Sequence, residues 1–169
     1  MKIGDAVLFD NRKTLFGKVI GIFTKAKFTH VGAFYETNGN AYVIAEAVGN
    51  GFVLSSYNAK KVDKRRRKGT ISVKRPLVEL HEPKKALMAL LSTPYSWKSI
   101  LAIAIDKATG ITLTFAVDGK HSGICSEMYS IFARIASQGM LNISKEFNKD
   151  EDYVTPANIA SSKQFVTID

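Results

Sequence analysis

The chain has one cysteine among its 169 residues. That excludes an internal disulfide framework and any zinc cluster built on cysteines. Histidine is almost as scarce. His30, His81 and His121 lie far apart and show no short metal-ligand spacing, so no metal and no cofactor is expected. No run of about 18 apolar residues occurs, and the longest candidate, Ile100 to Ile105, is far too short to span a membrane. The opening Met1-Lys2-Ile3-Gly4-Asp5 lacks the apolar stretch and small-residue cleavage site of a secretory signal. The expected location is the cytoplasm, or a virus particle if the chain is phage-encoded. Internal repeats and low-complexity stretches are also missing.

What is present is ordinary in amount and uneven in placement. Apolar residues make up 46% and charged residues 23%, values of a folded globular chain rather than a disordered or fibrous one. The length suits one domain spanning 1–169. The net charge is +9, but residues 58–75, NAKKVDKRRRKGTISVKR, hold +8 of it. A nearly neutral domain therefore carries one basic segment, expected as an exposed loop over 58–75. Lys60, Lys61, Lys64, Arg65, Arg66, Arg67 and Lys68 can hold an anionic partner, a membrane surface or nucleic acid. They can equally be a solvated face that keeps the chain in solution.

Hydrophobic patterning gives strands first and helices later. Ala6 to Phe9 reads as a short buried strand, and residues 13–25 have apolar side chains at helical spacing. Phe28 to Glu36 and Ala41 to Ala47 form a hairpin around Asn38-Gly39. Gly51 to Tyr57 and Thr70 to Lys74 add two strands. Pro83 opens a helix that Pro94 stops; 97–107 is a second helical candidate, and 111–117 alternates as a strand. Cys125 to Gln138 is a clear helix capped by Gly139. The last twenty residues read as a loop with one helical turn near Pro156. This order argues for an α+β fold.

The lone cysteine falls where a helix begins, after small residues, in His121-Ser122-Gly123-Ile124-Cys125-Ser126-Glu127. Unpaired N–H groups and the positive end of the helix dipole favour a thiolate there. The plainer reading is a small buried core residue. A nucleophilic thiol needs a base. His30 lies early in a strand with Gly32 on the same face, which leaves room beside the imidazole. His121 is the rival, four residues before the cysteine in a Gly/Ser loop, and His81 reads as surface. Glu46, a carboxylate inside the apolar strand Val43 to Ala47, is a candidate to orient the imidazole. Register decides that point. A two-residue Asn38-Gly39 turn pairs His30 with Ala47 and turns Glu46 to the opposite face. A three-residue turn or one bulge pairs Gly32 with Glu46 and puts His30 and Glu46 on one face.

Gly4-Asp5 before an apolar strand, Thr29-His30-Val31-Gly32, Ile44-Ala45-Glu46-Ala47, Pro94-Tyr95-Ser96-Trp97, Cys125-Ser126-Glu127 and the late Thr155-Pro156-Ala157-Asn158 occur in that order. Together they resemble the circularly permuted, YiiX- and YaeF-like branch of the NlpC-type papain-like cysteine hydrolases. The resemblance implies a permuted papain-like fold, with an antiparallel sheet packed against the cysteine-bearing helix. It implies Cys125 as nucleophile, His30 as general base and Glu46 as orienting group, with Tyr35 or Asp5 as further candidates to line the site. The implied activity is hydrolysis or acyl transfer at an amide or ester bond of a cell-wall peptide or a lipid. The alternative is a non-catalytic binding or virion-associated module that uses the basic segment. The basic segment departs from the family's pattern and leaves the substrate open.

Overall fold

The structure, a computed structural model, describes residues 1–13, 26–94 and 124–168. The helix expected over 13–25, the helix over 97–107, the strand over 111–117, residues Tyr95 to Trp97 and His121 therefore lie wholly or almost wholly outside the described residues. What is described is α+β, built on one antiparallel sheet whose layout is consistent with a papain-like fold.

The sheet has six strands: β1 (Ala6–Phe9), β2 (His30–Asn38), β3 (Ala41–Val48), β4 (Gly51–Asn58), β5 (Ile71–Pro76) and β6 (Phe165–Ile168). Their spatial order is β4-β3-β2-β1-β5-β6. β1 is a continuous apolar run because it is covered on both faces. Ala6 and Leu8 belong to a large core with Val31, Ala33, Ala45 and Ala47. Val7 and Phe9 belong to a smaller one with Phe34, Ile44 and Ile71.

Each core has its own helix. The large face is covered by α3 (Cys125–Ala136), which presents Met128, Tyr129, Phe132, Ala133 and Ala136 at helical spacing. Tyr129 ties this helix to the sheet by donating its hydroxyl to the Gly4 carbonyl at 2.8 Å. Ser126 does the same toward the Val154 carbonyl at 2.7 Å. The helix stops where Gln138 (φ 54°) and Gly139 (φ 85°) turn left-handed, and the Gly139 N–H closes on the Arg134 carbonyl. α2 (Pro83–Leu90) packs beside it and ends before Pro94. Two short helices, α4 (Ile143–Glu146) and α5 (Pro156–Ser161), lead into β6. Among the described residues no helix is long and apolar enough to cross a membrane.

The basic segment differs from the expected loop. Residues 59–67 form α1 (Ala59–Arg67), and residues 71–76 form the internal strand β5, which pairs with both β1 and β6. Asn58 caps the helix by accepting the Lys61 N–H at 3.1 Å. Val62 plugs the smaller core. Lys64 to Arg67 sit in the last turn, where cations complement the helix dipole. Lysine and arginine are good helix formers, so charge density alone did not signal a loop. β6 is the other difference. Its four residues fall in the stretch expected to be a loop, and only pairing with β5 makes them a strand.

The β2–β3 hairpin carries the site. Its turn is Gly39-Asn40, with Asn38 opposite Ala41 and Gly39 at φ 54°. The register then shifts by one at Tyr35, between Phe34 and Glu36, so that Gly32 faces Glu46. Gly32 is required at that position. A Cβ would come within 2.5 Å of Ile44 Cγ2 and 3.0 Å of the Ala45 carbonyl oxygen. The gap left by Gly32 thus admits Ile44 and Glu46. Gly32→Ala is expected to destabilise the fold by about 1–3 kcal/mol through overpacking. Chemical denaturation measures this, and an unchanged midpoint would contradict the close approach.

Candidate active site

His30 is the first residue of β2, and two features of the backbone leave it accessible to the thiol. Alternation places His30, Gly32 and Glu46 on the α1 face of the sheet, with the His30 ring 5.5 Å from that of Phe9. The β2–β3 ladder begins only at Gly32–Glu46. The next rung, Val31 with Ala47, is not made, so the ladder is open at this end. Cys125 is the first residue of α3, which packs on β2 and β3, and the Val31 and Ser126 N–H groups favour its thiolate. The thiol belongs to the large core and the imidazole lies on the opposite face, and each strongly influences the other's charge across the start of β2.

The imidazole is held from its other side. His30 Nε2 lies 2.5 Å from Glu46 Oε2. The second oxygen, Oε1, accepts the Tyr57 hydroxyl at 2.6 Å, and Ser55 adds a further hydrogen bond to the carboxylate. Because the carboxylate accepts at Nε2, that nitrogen carries a proton and Nδ1 is left for the thiol. Glu46 is only 1% exposed, a burial that an ionised carboxylate tolerates only when it is fully paired.

Electrostatics follow from these contacts. Burial pulls His30 toward neutrality, but the charge and hydrogen bond of Cys125, then those of Glu46, outweigh it and push His30 up to about 10. Burial raises the Cys125 thiol; the His30 charge and hydrogen bond and the N–H groups of Val31 and Ser126 reverse this and hold it below the ordinary thiol range. Burial likewise works against an ionised Glu46, and its bonds to His30, Ser55 and Tyr57 bring it below the usual carboxylate range. Burial and then the Glu46 charge keep Tyr57 protonated, so it is a donor at every working pH. The resting state these shifts describe is a thiolate–imidazolium pair beside a carboxylate. Glu127, two residues along α3 from the thiol, adds little negative charge near it. Burial and the neighbouring Asp152 push Glu127 up to about 8, although it accepts the Ile124 N–H at 3.1 Å.

The structure thus brings Cys125, His30 and Glu46 together. His81 is exposed, as its sequence context suggested. Asp5 and Tyr35 stand elsewhere. Asp5 is buried in a two-pronged ion pair with Arg75 at 2.8 and 2.9 Å, and Tyr35 points into the large core toward Met88. Tyr57 is the site residue that sequence reasoning missed. The available signal was the second hairpin: with Val48 opposite Gly51, Val53, Ser55 and Tyr57 fall on the Glu46 face. Arg65 also comes near, its guanidinium 5.7 Å from the Phe9 ring that stacks on both His30 and Tyr57. The basic segment is therefore not wholly separate from the site.

No known family and no curated protein matches this chain by sequence. Among solved structures, it is similar to the crystal structure of YiiX from Escherichia coli O157:H7, described as a metalloprotein of the DUF1105 group. The two share 16% identity over 99% of this chain and 96% of that one, with a TM-score of 0.51. The likeness is one of fold. As for a metal here, no group of three or more His, Cys, Asp or Glu side chains among the described residues is arranged to hold an ion. Both Glu46 oxygens are already taken by His30 and Tyr57.

Cys125 is expected to react with iodoacetamide at pH 7 faster than a free thiol. The free thiol loses thiolate tenfold per unit below about 8.5, whereas Cys125 keeps a larger thiolate fraction because its pKa is lowered. Alkylation rate against pH measures this. In His30→Ala the burial remains and the cation is gone, so the midpoint should move up; an unmoved midpoint would refute the pairing.

Proposed function

We propose that the protein is a cysteine hydrolase or acyltransferase of the circularly permuted NlpC type, acting on an amide or ester bond of a cell-wall peptide or a lipid. The observation that carries this reading is the continuous chain Cys125–His30–Glu46–Tyr57, assembled from segments far apart in sequence. The chain order His30, Glu46, Cys125 and a YiiX-like fold, consistent with a papain-like layout, support the reading as a papain-like cysteine hydrolase.

In this mechanism the Cys125 thiolate attacks the carbonyl carbon and a C–S bond forms. The N–H groups at the start of α3 are the donors on hand for the oxyanion. The His30 imidazolium gives its Nδ1 proton to the leaving amine or alkoxide as the C–N or C–O bond breaks, leaving a thioester. Neutral His30 then takes a proton from water, or from an acceptor hydroxyl in acyl transfer, and the attack of that oxygen breaks the C–S bond. Glu46 holds the ring in one tautomer and stabilises its cationic form, and Tyr57 holds Glu46. The first step needs an ionised thiol and a protonated ring. Activity should therefore fall on the acid side as Cys125 is protonated and on the alkaline side as His30 loses its proton near 10.

Variant kinetics on p-nitrophenyl acyl esters and peptide anilides test the proposal, with mass spectrometry to trap the thioester. His30→Ala is expected to lower kcat/KM by about 10²–10⁴-fold, with the fold intact by circular dichroism. Glu46→Gln should lower it less, since a Gln carbonyl still accepts from Nε2 and its amide can donate to the Tyr57 oxygen. A fully active His30→Ala, or turnover that survives Cys125→Ala, would overturn the proposal.

A further inference from the structure

The sheet carries a concave feature on the β5–β6 side of the His30 site. It is a groove of about 760 Å³ where α1, β5, β6 and the segment leading into β2 converge. Lys27, Arg66, Arg67 and Lys74 line it, against one carboxylate among the described residues, Asp63. Part of its floor is apolar, from Phe28, Ile71 and Val73. Arg66 is partly anchored, donating to the Ile168 carbonyl at 3.2 Å and standing 3.8 Å from Asp63. Among the described residues, Lys27, Arg67 and Lys74 take part in no salt bridge. Helix-dipole complementarity accounts for cations in the last turn of α1. It does not account for Lys27 and Lys74, which reach the same groove from other elements.

The backbone adds a donor. The β5–β6 ladder runs from Pro76–Phe165 to Val73–Ile168 and stops there. β5 itself begins at Ile71, which pairs with Phe9 of β1 on its other side. By the alternation of the ladder, the Ile71 N–H points away from β1, on the side where the described β5–β6 ladder ends at Val73–Ile168. Four cations lining one groove suit a compact anion with several acceptor oxygens. We infer that this groove is a binding site for a phosphate-class anion, with Arg66, Arg67, Lys27 and Lys74 as its charged partners. Phe9 pairs with His30 on one side and Ile71 on the other, so the groove is two strand spacings from His30, roughly 10 Å. The phosphate is that of a soluble phosphate ester or of a lipid headgroup.

Charge-matched variants provide the test. Lys27→Ala/Arg67→Ala removes two groove cations, and Lys60→Ala/Lys61→Ala removes two exposed cations from the first turn of α1, outside the groove. Arg66 is left in place because it supports the Ile168 carbonyl. Inorganic phosphate is titrated calorimetrically into the full chain, and retention on phosphatidylglycerol vesicles is compared with phosphatidylcholine vesicles at the same ionic strength. The groove variant should weaken binding about tenfold, the equivalent of one charge-assisted contact, and the control pair less than twofold. Cys125→Ala should bind as the parent does, which separates this site from the thiol chemistry. Saturable phosphate binding without vesicle retention identifies a soluble ester. Groove-dependent retention on phosphatidylglycerol alone identifies a headgroup. Equal loss in both double variants, which would mean diffuse charge, overturns the inference, as does the absence of both phosphate binding and vesicle retention.

Discussion

Glu46 is a carboxylate with 1% of its surface exposed, in a strand otherwise built from alanine, valine, isoleucine and one tyrosine. A charge in that position must be compensated on every side or given up. The fold compensates it with His30 on one oxygen and Tyr57 on the other. That requirement links three strands. It fixes the side of β2 that His30 must occupy, and hence the register of the β2–β3 hairpin. It fixes the β3–β4 register that delivers Tyr57. Through His30 it also sets the charge that the Cys125 thiol meets.

The single extra residue at Tyr35 reconciles these demands with the turn. Without the bulge, the pairing near Asn38–Ala41 would carry through the hairpin and turn Glu46 away from His30. With it, Gly32 faces Glu46, and His30 and Glu46 share one face of the sheet. The Val31 N–H, at the same strand end, favours the Cys125 thiolate. α3 is fixed from behind by Tyr129 and Ser126, so thiol and imidazole are both on rigid elements rather than on loops.

Much of this was legible in the residues. The strand of Val43 to Ala47 with one acid, the helix beginning at Cys125 and the pairing condition that joins His30 to Glu46 all follow from alternation and helix-end chemistry. The position of the bulge did not, because Phe34, Tyr35 and Glu36 hold no glycine or turn signal to mark an extra residue. Tyr57 was missed because its approach to Glu46 depends on two registers in succession, and an error in either moves it to the other face. The helix over 59–67 was hidden by its charges. Its real signals were Asn58 as cap and Val62 as the one apolar anchor. β6 was out of reach for a different reason: four residues carry too little periodicity, and β5 supplies the rest. Asp5 shows the opposite error, a buried acid beside conspicuous motifs whose work is to hold Arg75.

The account stands on the charge state of one ring, because every role given to Cys125, Glu46 and Tyr57 assumes an imidazolium between them. Nitrogen-15 NMR of His30 reads that charge directly, through the shifts of Nδ1 and Nε2 across a pH titration. The account predicts a ring protonated on both nitrogens at pH 7 that titrates near 10, and whose pKa falls when Cys125 is replaced by Ala, since the thiolate charge and hydrogen bond are the largest influences raising it. A His30 ring that is neutral at pH 7, or whose titration does not change on removal of the thiol, would contradict it.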